Sequence, residues 1–426
     1  MTIAVFVGSL LIAMALGIPI AFALLVSGVA LMWHLDLFDA QILAQNIIGG
    51  ADSFPLLAVP FFMLAGEIMN VGGLSKRIVN FALAVVGHIK GGLGYVTIMA
   101  GCLLSALSGS AVADAAALTA LLLPMMVAAG HDKARAGGLI AATGVIGPVI
   151  PPSIGLVIFG VAGNVSISKL FLAAIFPGLL IGLALWITWA WLVRRENIPS
   201  PPRKSAREIL VAARQAFWAL MLPMIILVGL RMGVFTPTEA AVVAAVYALF
   251  VSTVIYRELH WRQLYGVFAG AAKTSAIVMF LIAAAMVSAW LITVADLPGK
   301  VVSLLSPFMG SPILLMAAIM VLVMIVGTAM DMTPTILILT PVLMPVIKAA
   351  GIDPVYFGVL FIINNSIGLV TPPVGTVLNV VAGVGRMKMD DVTRGVVPFM
   401  IAEFIIMFVM VAFPQLVIWP AKFLHG

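Results

Sequence analysis

Apolar runs follow one another along the whole chain, separated by short polar turns. They cover residues 3–33, 54–70, 78–88, 92–130, 135–164 and 170–193, then 217–233, 237–257, 274–296, 300–309, 312–350, 355–385 and 395–421. About 20 helical residues cross a bilayer, so the pattern predicts a series of membrane helices, with 3–33 as a single first span holding Gly17 and Pro19 inside it. Two runs, 92–130 and 312–350, are too long for one crossing. The first is interrupted at Ser108-Gly109-Ser110, the second around Gly327-Thr328 and Asp331-Met332-Thr333-Pro334. Each is expected to be a re-entrant hairpin whose two half-helices meet at a tip near mid-membrane. Non-helical backbone at that depth survives only where protein buries it or where it lines a cavity.

One stretch is written twice. Residues 121–155 read LLLPMMVAAGHDKARAGGLIAATGVIGPVIPPSIG, and residues 342–376 read VLMPVIKAAGIDPVYFGVLFIINNSIGLVTPPVGT. Pro124 answers Pro345, Gly130 answers Gly351 and Asp132 answers Asp353. Gly147 answers Gly368 and Pro151-Pro152 answers Pro372-Pro373, always at an interval of 221 residues (345 − 124). Helix breakers at matched places in two apolar halves mark the binding site of a secondary transporter. Between the halves, PSPPRKSARE and its flanking arginines form a basic, proline-rich stretch, which the positive-inside rule places in the cytoplasm. The expected organisation is a first repeat over 1–196, a cytoplasmic linker over 197–216 and a second repeat over 217–426. His88, Lys90, His131, Lys133 and Arg135 flank the first hairpin, whereas Lys300, Lys348 and Asp353 flank the second more sparsely. That difference points to inverted topology. The fold class is therefore an all-α polytopic membrane protein of two inverted repeats, each with a re-entrant hairpin and a Pro-Pro-broken helix.

Composition narrows the function classes. The 426 residues are 63% hydrophobic and 9% charged, with a mean hydropathy of +1.24, against roughly 25% charged in a soluble domain. Residues 1–33 hold no Lys or Arg, and the run is too long for a cleavable signal core. The lone Cys102 leaves no internal disulfide, and His34, His88, His131, His260 and His425 show no ligand spacing, so no transition metal is expected. A net charge of +6 lies in short loops and sets orientation; it is no nucleic-acid signature. The phosphate loop of an ATPase is absent. GSAVAD has no accompanying triad for a nucleophile elbow, so the chain is not expected to be an enzyme.

The breaks carry the candidate chemistry. Pro151-Pro152 and Pro372-Pro373 must unwind their helices. The carbonyls they free suit a hard cation such as sodium, together with the hydroxyls of Ser108, Ser110, Ser153, Thr328, Thr333, Thr371 and Thr376. Half-helix N-termini at the same depth suit a carboxylate, and Asn364 and Asn365 add donors. A lone Pro-Pro is ordinarily a kink and a lone Ser-Gly-Ser a close helix contact; the duplication is what raises both to site candidates. Asp114 and Asp331 are intramembrane acids, open to ion binding, proton handling or helix capping. Glu67, Glu239, Asp296, Lys273 and Glu403 fall near predicted segment ends and are expected at interfaces.

The stretches FFMLAGEIMNVGGLSKRI, LSGSAVADAAAL, GPVIPPSIG, FTPTEAAVVAAVYA, TPTILILTPVLMPV and GLVTPPVG resemble the large membrane (M) subunit of TRAP transporters, the tripartite ATP-independent periplasmic transporters of bacteria and archaea. The resemblance covers essentially the whole chain, and the GADSFPLLAVPFF stretch is similar to members importing sugar-derived acids, including the diketogulonate type. It implies an elevator-type scaffold plus transport domain in the bacterial inner membrane. It also implies sodium-coupled import of an organic acid, with a small four-helix membrane subunit and a periplasmic solute-binding protein as partners. Carried onto this sequence, one sodium site uses Ser108, Ser110, Gly147, Ile150 and Pro152, and the other Gly327, Thr328, Gly368, Thr371 and Pro373. Substrate would lie within reach of Ser110, Ser153, Asn365 and Thr376. The second tip, GTAMDMTP, departs from Ser-Gly-Ser, so the two ion sites need not be equivalent. The alternatives are a stand-alone cation-coupled dicarboxylate carrier, and an integral-membrane enzyme or assembly factor.

Overall fold

The computed structural model describes residues 2–194 and 201–425; the expected linker residues 197–200 lie outside the described residues. Among those described there are twenty α-helices and no strand. Eight helical stretches are long and apolar enough to cross a membrane.

The chain opens on a helical hairpin, α1 (Thr2–Ala15) and α2 (Ile20–His34), where hydropathy predicts a single span. Gly17 makes the break. Its φ is +78°, and the Ile18 N–H returns to the Ala13 carbonyl at 3.1 Å, the left-handed helix stop that glycine favours. Pro19 then stands immediately before α2. An apolar run hides such a break because neither residue adds a charge.

Next come α3 (Ala40–Ala51), α4 (Ala58–Val71) and α5 (Leu74–Val86). α3 is absent from the hydropathy pattern because its sequence, AQILAQNIIGGA, is short and interrupted by Gln41, Gln45 and Asn46; the Asp39 carboxylate caps it, accepting from Gln41 N at 2.7 Å. The first long apolar run becomes α6 (Gly92–Ser108) and α7 (Ala111–Ala128). These are antiparallel, since Thr97 reaches Met126 Sδ at 3.7 Å. α8 (Lys133–Gly144) and α9 (Ile154–Gly163) flank the first Pro-Pro break, and α10 (Ile167–Val193) closes this half.

The second half starts earlier than its apolar pattern. A capping box between Ser205 and Glu208 begins α11 (Ala206–Arg231), so the expected linker is helical from Ala206 onward. α12 (Pro237–Phe250), α13 (Trp261–Val294) and α14 (Leu297–Leu305) follow, then α15 (Pro312–Ala329) and α16 (Met332–Ala349) around the second tip. α17 (Pro354–Gly368) and α18 (Thr376–Val384) flank the second break. The final run, expected as one element over 395–421, divides at Phe413-Pro414 into α19 (Met389–Ala412) and α20 (Gln415–His425). α19 thus starts before its predicted segment and places Glu403 in mid-helix at 0% exposure, not at an interface.

The 221-residue interval persists in the helix boundaries. Adding it to α7 (111–128) gives 332–349, which is α16, and it carries the cap Ser110 onto the cap Asp331. Both Pro-Pro bonds are cis. Packing is exchanged between the halves: α9, beyond the first break, lies on α16 of the second hairpin, and α18, beyond the second break, lies on α7 of the first. Phe159, Phe357 and Phe361 fill the centre of this core with ring centroids 5.3–5.9 Å apart.

Candidate functional site

At the first tip α6 ends on Gly109, whose φ of +61° is left-handed. Ser110 begins α7, accepting from Ala113 N at 3.4 Å. Ser108 Oγ donates to Asp114 Oδ1 at 2.5 Å and accepts from Ser110 N at 3.2 Å. Ser105 Oγ reaches Asp114 Oδ2 at 3.4 Å. Asp114 is therefore no helix cap; it is a carboxylate, 3% exposed, that braces the end of α6 against the start of α7.

The first break closes onto this tip. A methyl group on Gly147 would stand 3.0 Å from Ala111 N, from Asp114 Oδ2 and from the Ser110 carbonyl carbon. One on Gly109 would stand 2.5 Å from the Pro152 carbonyl oxygen. The structure thus brings Ser108, Ser110, Asp114, Gly147 and Pro152 together. Ile150 is buried beside them and packs over Gly178. Ser153 is placed differently. It is 0% exposed, caps α9 by accepting from Leu156 N at 3.2 Å, and donates to the Pro148 carbonyl. Its hydroxyl is spent on the break itself, so a substrate contact there would first have to displace the cap.

In the second half Gly368 meets Gly327. A methyl group on Gly368 would lie 3.0 Å from the Gly327 carbonyl oxygen, whereas one on Gly327 meets only Gly368 Cα at 3.7 Å. Thr328 and Thr371 donate back along their own chain, to Ile325 O at 2.7 Å and Ile367 O at 2.8 Å; each keeps oxygen lone pairs free. Pro373 is exposed in the break. Asp331 is exposed and caps α16, accepting from Met332 N at 2.9 Å. Asn365 Nδ2 donates to Phe361 O at 2.8 Å, while its Oδ1 is buried without a partner, as are Asn364 Oδ1 and Thr376 Oγ1. Such orphaned acceptors are uncommon in a native fold, and they stand on both sides of the second break.

The two half-sites differ electrically. Gly147 faces the N-terminus of α7, where N–H groups point outward next to the Asp114 carboxylate. Gly368 faces Gly327 near the C-terminus of α15, where carbonyls point outward. A helix N-terminus favours anions and a C-terminus cations.

One residue escaped the sequence pattern and another was misplaced in it. Ser105, one turn before the tip, was hidden because only the Ser-Gly-Ser break drew notice. Glu403 has both carboxyl oxygens buried without a hydrogen-bond partner; its signal was a single acid inside VPFMIAEFIIMFVM. Its neighbours on α19 are anchored: Thr371 Oγ1 touches Met400 Sδ at 3.6 Å, and the Tyr356 hydroxyl donates to Met410 O at 3.2 Å. An unpartnered buried polar group costs about 1–3 kcal/mol in proteins. Glu403→Met, matching Met400 and Met407 in shape, is expected to raise the unfolding midpoint by several degrees; an unchanged or lower midpoint in a thermal melt counts against an orphaned carboxyl.

Residues 7–416 match the family described as tripartite ATP-independent periplasmic transporter, DctM component. The chain is 56% identical over 425 residues to the 2,3-diketo-L-gulonate TRAP transporter large permease protein of Escherichia coli, covering 100% of both chains. It is 40% identical to the sialic acid TRAP transporter large permease protein of Vibrio cholerae, over 94% of this chain and 93% of that one. The C4-dicarboxylate TRAP transporter large permease protein of Pseudomonas aeruginosa is 37% identical, with 87% of each chain covered. Among solved structures, the Alcanivorax borkumensis YdaH transporter shares the fold, with a TM-score of 0.67 over 90% of this chain and 91% of that one at 16% identity. The whole-length family match and these identities make the chain a member of the DctM family, the large permease component of tripartite ATP-independent periplasmic transporters.

Proposed function

We propose that this large permease carries out sodium-coupled import of an organic acid handed over by a periplasmic solute-binding protein, beside a small four-helix membrane subunit. The observation that carries this proposal is the paired closure of tip on break, Gly109 and Ser110 on Gly147–Pro152 in one half and Gly327 on Gly368 in the other. Two such half-sites, whose breaks are related by one interval, supply freed carbonyls and hydroxyls for sodium, and the α7 N-terminus supplies donors for a carboxylate between them. The relatives named above for diketogulonate, sialic acid and C4-dicarboxylates all concern acids, and the 56% relative favours a sugar acid. Inverted repeats would place the basic segment near Lys204 in the cytoplasm and the chain in the inner membrane. The hairpins and broken helices would move together against a scaffold that includes α11–α13, as an elevator does.

Bound sodium would order the tips and offset the charge of the incoming acid. Uptake of a labelled sugar acid into proteoliposomes tests this directly. Import is expected only with the permease, the small subunit, the binding protein and an inward sodium gradient. Import by the permease alone would instead identify a stand-alone carrier. Pro152→Ala and Pro373→Ala are expected to let helix reform and to raise the sodium concentration for half-maximal uptake by about tenfold each. Sodium activation unchanged in both variants overturns the carbonyl sites.

A further inference from the structure

Away from the tips, α5 and the start of α11 enclose two adjoining cavities of about 420 and 620 Å³ that share Asn80, Val211 and Gln215 as walls. Five cations line them: Lys76, Arg77, Lys204, Arg207 and Arg214. Both lining carboxylates are already engaged. Glu258 pairs with Arg77 at 2.7 Å, and that guanidinium also lies 3.7 Å from the Tyr256 ring centroid. Glu208 accepts from Ser205 N at 2.7 Å and from its Oγ at 2.8 Å. Lys76, Lys204, Arg207 and Arg214 are exposed and have no ion pair among the described residues.

The position of this cluster along α11 decides what it meets. After Arg214 the helix carries no charged residue until Arg231. The 16 residues between them span about 24 Å at 1.5 Å per residue, close to the thickness of a bilayer's hydrocarbon core. Much of that stretch is bare: Phe217 is 50% exposed, Trp218 41% and Met224 54%. Trp218 also lines the larger cavity, so the cavity opens where the apolar belt begins. Cations there, with an apolar wall directly below, match a lipid that is anionic at its head and apolar in its tails.

We propose that the α5–α11 cavity is a binding site for an anionic phospholipid, its phosphate held by Lys76 and Arg214 with Lys204 and Arg207 behind them, and its acyl chains laid along the bare face of α11. The site is independent of the ion and substrate sites and of which side of the membrane this end of α11 faces. Each cation near a lipid surface changes affinity by about fivefold.

The test is native mass spectrometry of the purified transporter complex, reconstituted in nanodiscs with phosphatidylglycerol or phosphatidylethanolamine. Retained phosphatidylglycerol is expected for the wild type, falling about fivefold in each of Lys76→Gln and Arg214→Gln, and recovering in Arg214→Lys. Should Arg214→Gln fail to fold, Lys204→Gln and Arg207→Gln, on exposed side chains, carry the same expectation. Equal retention of both lipids, or retention unaffected by these variants, overturns the site. Displacement of the lipid by inorganic phosphate would assign the cations to a soluble phosphate and also overturn it. Loss of lipid only when the small subunit is bound would show a protein partner covering the cavity, with the same consequence.

Discussion

Gly368→Ala is expected to reduce sodium-driven uptake at least tenfold, while Gly327→Ala leaves it within about twofold of wild type. The two glycines face one another, yet only one has no room. A methyl group on Gly368 lands 3.0 Å from the Gly327 carbonyl oxygen and 3.2 Å from its carbon, both backbone atoms that cannot swing aside. On Gly327 the nearest atom is 3.7 Å away, an ordinary contact. Overpacking a close-packed site costs about 1–3 kcal/mol, enough to separate tip from break. Gly147→Ala should behave like Gly368→Ala, because its methyl would press on the start of α7 and on Asp114. Concentration-dependent uptake against sodium, with thermal melts as a folding control, checks all three. Equal tolerance of Gly368→Ala and Gly327→Ala would show that the second closure plays no part in transport.

Asp114→Asn is expected to raise the sodium concentration for half-maximal uptake by about tenfold to hundredfold, the equivalent of one hydrogen bond to a charged group. Asparagine keeps the shape but replaces one of the two carboxyl oxygens, which accept from Ser108 at 2.5 Å and border Gly147, with an amide nitrogen. Ser105→Ala should shift the same curve only slightly, since its contact is 3.4 Å long. A normal sodium curve with a lowered melting midpoint in Asp114→Asn would reassign the carboxylate to bracing the turn alone.

How much of this was visible in the residues depends on which force decided each feature. Hairpin tips and Pro-Pro breaks were legible, because proline and glycine impose backbone geometry wherever they stand, and the 221-residue interval drew attention to them. The break at Gly17 obeyed the same physics but had no counterpart to draw attention to it. Capping was half legible. Asp331 stood next to a plausible helix start, yet only the structure shows that Ser110, not Asp114, caps α7. Ser153 shows the limit most clearly. Its sequence position beside Pro152 marked it for a ligand, but its hydroxyl faces inward to Pro148, and side-chain direction inside an irregular loop has no periodicity to reveal it. Glu403 was misplaced because its burial is set by the helices packed around α19, which the residues of α19 alone do not reveal.

The exchange of α9 and α18 between the halves has a consequence for evolution and for titration alike. Each broken helix packs on its own hairpin before the break and on the hairpin of the opposite half beyond it, so each half closes tip on break by itself but leaves the far segment of its broken helix to be covered by the other. A half expressed by itself would present an unfinished wall, and drift in one half must be answered by the other at the shared surface. On the sodium proposal, an ion leaving one site loosens a surface that the other depends on. Two local occupancies then collapse into a single two-state equilibrium, and sodium activation of uptake should rise more steeply than independent sites permit.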